Sequence, residues 1–300
     1  MTAASERLPT GAGRSTDPRR GTFWLLSLPS AVALGLFLIL PILFMVALSF
    51  RADLSGQLLA PFAPTVKQYA KVLDTGSYWN LLGISTVMAF GVALVATAAA
   101  YPLAYFLAFR AGKRAGLYLI LLLVPFWTSY LLRVMAWRLM LDSSGVVNSI
   151  LIALGLTRDP LDLLYNRGAV VVTLIYVWIP FAMLPILAAM GRIDVRLHDA
   201  AADLYASPWQ QLLRITLPLS LPGIIAAFFM VFIPTVGEYV TPLLVGGTGG
   251  SMYGNIVQAF FVQAANWPLG AALSVIMLAT TLLLVVIGLR IVQPRRLLGQ

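Results

Sequence analysis

The sequence holds no cysteine and a single histidine, His198. The first absence excludes a disulfide framework, a thiolate metal site and a cysteine nucleophile. The second excludes a histidine metal cluster and leaves a triad buried in the apolar runs without a base, since His198 sits in a polar stretch. His198 reads as a solvated loop residue. Charge is also scarce: 10% of the 300 residues are Asp, Glu, Lys or Arg, against about 25% in a soluble domain. No G-x-x-x-x-G-K-[ST] occurs. The nearest fragment, Gly112-Lys113-Arg114, lacks the spaced glycine and the hydroxyl residue, so the chain does not hydrolyse ATP by that route. The run Gly246 to Gly250 lacks a strand-to-helix context and reads as a flexible loop rather than a phosphate cradle.

What the sequence does have is apolar surface, at 60% of residues, so the bilayer is its solvent. A membrane-spanning helix needs about 20 mostly apolar residues. Six segments qualify: Phe23 to Phe50, Leu81 to Phe109, Leu117 to Leu141, Ala169 to Met190, Thr216 to Val236 and Leu269 to Val292. The first is too long for a signal's apolar region of about 7 to 15 residues and is expected to stay as a helix. With six spans, both termini and two loops share one side. That side carries thirteen Lys and Arg, the opposite side five, and Arg133 and Arg138 lie within the third span. The bias places both termini in the cytoplasm of a multi-pass inner membrane protein. The net charge of +9 is scattered between hydrophobic runs. It forms no stripe with interleaved aromatics, which argues for contact with lipid headgroups and against nucleic acid.

The expected organisation is a disordered tail at 1–22, a first transmembrane helix at 23–50, an outward loop at 51–80, a core of five transmembrane helices at 81–292 and a short tail at 293–300. Within the outward loop Val66, Tyr69, Ala70 and Leu73 share one face of a short helix that would lie on the membrane surface. Prolines at 102, 125, 180, 185, 222 and 234 fall in or beside spans. Each removes a backbone donor and tends to kink its helix, which suits a moving pathway but is also common in membrane helices.

Residues 191–218, GRIDVRLHDAAADLYASPWQQLLRITLP, are too polar to span a membrane and are patterned for two short helices. Asp194 caps the first. Ser207, Pro208 and Gln210 supply a cap, a proline at the first helical position and a capping-box glutamine, so the second begins at Pro208. The face formed by Leu197, Ala200, Ala201 and Leu204 suits either a surface anchor or a knob for a partner's groove.

The residues themselves carry a resemblance. Asp199, Ala200 and Ala201, with Ile215, Leu217 and Pro218 downstream, resemble the EAA loop of binding-protein-dependent ABC permeases. Asp199 stands where that family has glutamate, and Tyr205 where it has glycine. If the glycine ends a helix in the left-handed region, a tyrosine there costs about 1 to 2 kcal/mol and the turn is expected to change shape. Pro125 to Ser129 with Arg133, Ala136 and Trp137, Gly145 to Leu156 with Asn148, Phe232 to Tyr239, and Asn266 to Gly270 resemble the spermidine/putrescine branch.

The resemblance implies an all-α membrane protein: six transmembrane helices of the ABC importer permease type with a cytoplasmic two-helix coupling loop. The chain would be a non-enzymatic permease subunit that binds no cofactor or metal, with ATP and Mg on a separate ATPase. Its implied partners are two copies of that ATPase, a second permease in a heterodimer, and a periplasmic solute-binding protein. The implied ATPase-coupling residues are Asp199, Ala200, Ala201, Leu204, Tyr205, Ser207 and Pro208.

For the solute path, Glu238 is the only acidic residue after Asp203, with Tyr239 beside it. A carboxylate pairs with an ammonium ion, and Trp127, Tyr130, Trp137 and Tyr239 offer cation–π faces. The same residues also fit an aromatic belt with one acid at the water boundary. Arg133, deep in a span, is expected to pair with an acid or with helix carbonyls of the partner permease, and Arg138 to snorkel. Another amine, such as an opine, remains an alternative solute. A secondary transporter is a further alternative, against which stand the coupling-like loop and the absence of an internal repeat.

Overall fold

The computed structural model describes residues 28–30, 32–52 and 64–292. The expected tails at 1–22 and 293–300, and residues 53–63 of the expected 51–80 loop, lie outside them. Among the described residues the regular structure is helical, with one isolated bridge between Arg51 and Pro64. Helix α1, Leu28–Ser49, is apolar and contains one wide turn at Gly35–Ile39.

Three long helices form the core: α3 at Gly76–Arg110, α7 at Arg167–Met190 and α9 at Pro208–Val236. Between lipid-solvated helices there is little hydrophobic drive, so association depends on close packing of small residues. The sequence supplies them. Ala89, Ala93, Ala96, Ala100 and Ala104 recur at three- or four-residue spacing along α3, and all are fully buried. Against them pack Leu174, Met183, Ile186 and Met190 of α7 and Ala227, Val231 and Phe232 of α9. The tightest approach is at Gly223, where an added Cβ would lie 2.5 Å from Ala189 Cβ and 2.6 Å from Pro185 O.

The third apolar segment is not one straight helix. It comprises α4 (Ala115–Leu123) with a tight turn at Val124–Trp127, then α5 (Tyr130–Leu141) and α6 (Val146–Ala153). The two halves meet at 83°. The break follows from local chemistry. Pro125 opens the tight turn, Thr128 and Ser129 leave the helical region with ψ of 156° and 139°, and Thr128 Oγ1 donates to Pro125 O at 2.7 Å. Five described helices are long and apolar enough to cross a membrane, and the bent pair counts as a sixth if its two halves are taken as one span. The other five prolines singled out in the sequence lie inside continuous helices.

Two other expectations change. The helix beginning at Pro208 is not separate from the fifth span but runs into it through a wide turn at Leu212–Thr216, where the Leu217 amide donates to Leu212 O. The wide turn ends two residues before Pro218, whose ring would crowd the carbonyl of Arg214, four residues earlier, in a regular helix. The short helix α2, Lys67–Asp74, buries Gln68 and Val72 and exposes Leu73, with Val66 exposed at its N-cap. Val72 joins a cluster with Leu82, Tyr253, Leu269 and Leu273. Its partner is therefore protein, and the neighbouring side chains, not the broadest apolar stripe, select the inward face.

The chain is completed by α8 (Arg196–Asp203), α10 (Tyr253–Val262) and α11 (Trp267–Val292). The glycine-rich run is a packed turn, not a loose loop. Tyr165 N donates to Val245 O at 2.8 Å, Arg167 Nε donates to Gly249 O at 3.2 Å, and Gly250 is buried against Gly246.

Candidate functional site

The fold gathers the candidate residues into two groups. The first lies where α9 ends. Gly237 closes that helix, and Glu238 Oε1 accepts from the amides of Val240 (2.9 Å) and Thr241 (3.2 Å), capping the helical turn at 240–246. Two amides thus hold the carboxylate in one orientation. Its backbone is fixed as well. A Cβ on Gly254 would lie 2.6 Å from both Gly237 O and Glu238 O, so only glycine lets α10 approach this segment. Asn255 ties the two together, accepting from Met252 N and donating to Tyr239 O, each at 2.9 Å.

Tyr130, the first residue after the break, shares a 2.6 Å hydrogen bond with Thr241 Oγ1. Its hydroxyl also lies within electrostatic reach of Glu238 and Arg133. Arg133 finds a partner within its own chain, while the expected acid or carbonyl of a partner permease lies outside this single chain. Its Nη1 donates to Phe126 O at 3.3 Å, and its guanidinium lies 4.9 Å from the Phe126 ring centroid. The break supplies this partner, because a carbonyl released from the helix ladder needs a donor. Its Nε is buried with no acceptor among the described residues.

Phe126 and Trp137 both pack on Tyr176 of α7, at 5.5 and 5.4 Å between ring centroids. Arg138 Nη2 donates to Tyr165 OH at 3.2 Å. Of the solute-path candidates, Tyr130, Glu238 and Arg133 therefore converge, with Tyr239 next to Glu238 and partly exposed. Trp137 sits in the Tyr176 cluster, and Trp127 is 80% exposed. Thr241, Asn255 and Tyr176 went unnoticed in the sequence. None belongs to a motif of its own, and only the fold brings them near Glu238 and Arg133.

The second group is the 191–218 segment. Asp194 Oδ1 accepts from Arg196 N at 2.9 Å, one residue ahead of the position that caps α8. The helix ends at Leu204 with two linked hydrogen bonds, Tyr205 N to Ala202 O (2.9 Å) and Ala206 N to Ala201 O (3.0 Å). This is the glycine-type C-terminal motif, and Tyr205 occupies its left-handed position at φ 58°. The turn therefore keeps the geometry a glycine would give and carries the strain. Ser207 and Gln210 form the reciprocal capping box ahead of α9, at 3.3 and 2.8 Å, with Pro208 in the first turn.

Leu204 (82%), Tyr205 (97%) and Trp209 (65%) are exposed, as are Asp199, Ala200, Ser207 and Pro208, while Ala201 is half-buried. The segment thus presents an apolar knob flanked by the exposed acids Asp199 and Asp203. His198 is not a solvated loop residue: it is half-buried, with Nε2 3.0 Å from Thr216 Oγ1 and its ring 4.9 Å from Phe109.

Known proteins resemble the chain over most of its length. The spermidine/putrescine transport system permease protein PotB of Escherichia coli is 35% identical over 244 residues, covering 81% of this chain and 87% of that protein. The corresponding protein of Haemophilus influenzae is 32% identical over 242 residues, covering 80% and 83%. A crystal structure of a bacterial ABC transporter that imports the acidic polysaccharide alginate superposes with a TM-score of 0.69 over 91% of this chain and 96% of that chain. At 18% identity, that likeness concerns the fold alone. Residues 100–297 match the family described as the binding-protein-dependent transport system inner membrane component. With that match over most of its length and an all-helical membrane fold, the chain belongs to this family of ABC importer permeases.

Proposed function

We propose that this chain is the permease subunit of an ATP-driven importer for polyamines of the spermidine and putrescine class. The observation that carries the reading is the 35% identity, over 81% of the chain, to permeases named for those solutes. The Glu238 site is chemically compatible with it: a carboxylate held by two amides, beside the Tyr130 hydroxyl and the partly exposed Tyr239 ring, suits an ammonium ion. Arg133, drawn onto Phe126, is a support for the bent span rather than a solute ligand.

A binding protein delivers solute at the face where Glu238 lies. Both termini and the 191–218 segment face the cytoplasm, in keeping with the distribution of Lys and Arg. There Asp199, Ala200, Ala201, Leu204, Tyr205, Ser207 and Pro208 dock onto an ATPase subunit, which holds the ATP and Mg. One such segment per chain and two ATPase subunits call for two permeases, here a heterodimer. The docking contact must differ in strength between inward- and outward-facing states, because equal affinity for both shifts neither.

The test is ATP-dependent uptake of radiolabelled putrescine and spermidine by proteoliposomes holding the full complex. Glu238→Gln keeps the oxygen that caps 240–246 and removes the charge. Uptake is expected to fall with assembly intact, whereas a purely capping role predicts unchanged uptake. Asp199→Arg is expected to release the ATPase subunits. Wild-type uptake that needs ATP but ignores polyamines would remove the substrate assignment. Uptake that needs neither ATP nor the ATPase would remove the whole reading.

A further inference from the structure

His198 is the sole histidine of the chain, and it projects inward from a helix whose neighbouring residues point out. It makes two contacts. Its Nε2 is hydrogen-bonded to Oγ1 of Thr216, a fully buried residue in the wide turn Leu212–Thr216 of α9. Its ring packs on Phe109, in the wide turn Phe106–Arg110 that ends α3. A wide turn breaks the regular ladder of a helix and is a natural place for it to change pitch or direction.

One side chain therefore joins α8 to the altered last turn of one core helix and the altered first stretch of another. These are two of the three helices that make up the packed core. The connection is compact and directional. The hydrogen bond fixes one edge of the imidazole, the aromatic contact fixes its face, and Nδ1 is buried with no hydrogen-bond partner among the described residues.

We propose that His198 is the positioning residue that transmits displacement of α8 to the ends of α3 and α9, so that the three move as one body. This rests on the reading of 191–218 as the ATPase-docking segment and goes beyond it. Docking is assigned to the outward residues, transmission to the one inward polar side chain of α8. The spans on either side of 191–218 are already connected through the chain itself. His198 adds a lateral tie to α3, which is remote in sequence, and a short path to α9 that bypasses the turn at 204–207.

The experiment measures solute taken up per ATP hydrolysed in proteoliposomes of the full complex, together with retention of the ATPase subunits through purification. In His198→Ala the complex is expected to assemble and hydrolyse ATP, with uptake per ATP lowered about fivefold or more, the scale of an ordinary inter-site coupling. His198→Gln, which returns a polar nitrogen to the reach of Thr216, is expected to recover most of that loss. Thr216→Val is expected to reproduce the His198→Ala defect, and the double variant to add little to either.

Unchanged uptake per ATP in His198→Ala would overturn the proposal. So would a fall matched by loss of ATPase retention, since that marks a structural role only. Asp199→Arg separates the two levels of the argument. If it keeps the ATPase subunits, the docking reading falls and transmission with it. If it sheds them while His198→Ala has normal yield per ATP, transmission alone falls.

Discussion

Replacing Gly223 with alanine tests how closely α7 and α9 approach. Carbon atoms in contact prefer a separation of about 3.5 to 4.0 Å. The new Cβ would stand 2.5 Å from Ala189 Cβ and 2.6 Å from Pro185 O, and neither neighbour is the end of a flexible side chain. The two helices must part by roughly 1 Å, which disturbs contacts along the core and costs about 1 to 3 kcal/mol. Alanine also favours the helix over glycine by about 0.8 to 1.0 kcal/mol, so the observed loss understates the clash. Gly91→Ala in α3 supplies the correction, because a Cβ there meets nothing within 4 Å. Both variants gain the same propensity, and their difference isolates the steric term.

The assay is the midpoint of thermal loss of the intact complex in detergent, followed by size-exclusion chromatography. Gly223→Ala is expected to melt below wild type and Gly91→Ala at or above it. If the two variants melt together, α7 and α9 are not packed as closely as described and the reasoning fails.

Three further outcomes follow from local geometry. Asn148 is fully buried and makes three hydrogen bonds, donating to Asp142 O and Leu161 O and accepting from Leu161 N. Asn148→Ala leaves those groups unpaired and is expected to destabilise by about 2 kcal/mol or more, read as a lower melting midpoint. Tyr205→Gly is expected to raise thermal stability by up to about 1 kcal/mol, because it removes left-handed strain from a side chain that is 97% exposed. Tyr205→Val, β-branched at the same φ, is expected to lower it. Arg133→Met removes the donor to Phe126 O and is expected to increase protease or hydrogen-exchange accessibility at residues 124–130; unchanged protection would show that the bend holds without it.

Length and hydropathy made the membrane class and most span positions legible. The capping box at Ser207 and Gln210 was legible because its chemistry is local to four residues. The break at Thr128 was not, since Leu117 to Leu141 is as apolar when bent as when straight, and a proline bends only some of the helices that contain one. Tyr205 shows another limit. Propensity predicted a changed turn, yet the two linked hydrogen bonds and the following capping box hold the residue at φ 58°. His198 was misread because its partners, Phe109 and Thr216, are distant in sequence, and a polar stretch gives no sign of which one side chain will turn inward.

The bend in the third span also constrains the order in which the protein is built. Within lipid, irregular backbone is tolerated only where protein or water covers it. The aromatic residues around the bend, Phe126 and Trp137, lean on Tyr176, a residue of the following span. A nascent chain that has inserted residues 112–153 but not yet α7 already holds the residues that break the helix, yet lacks that cover. The corner is therefore written locally, but its aromatic packing is completed only when the fourth span arrives.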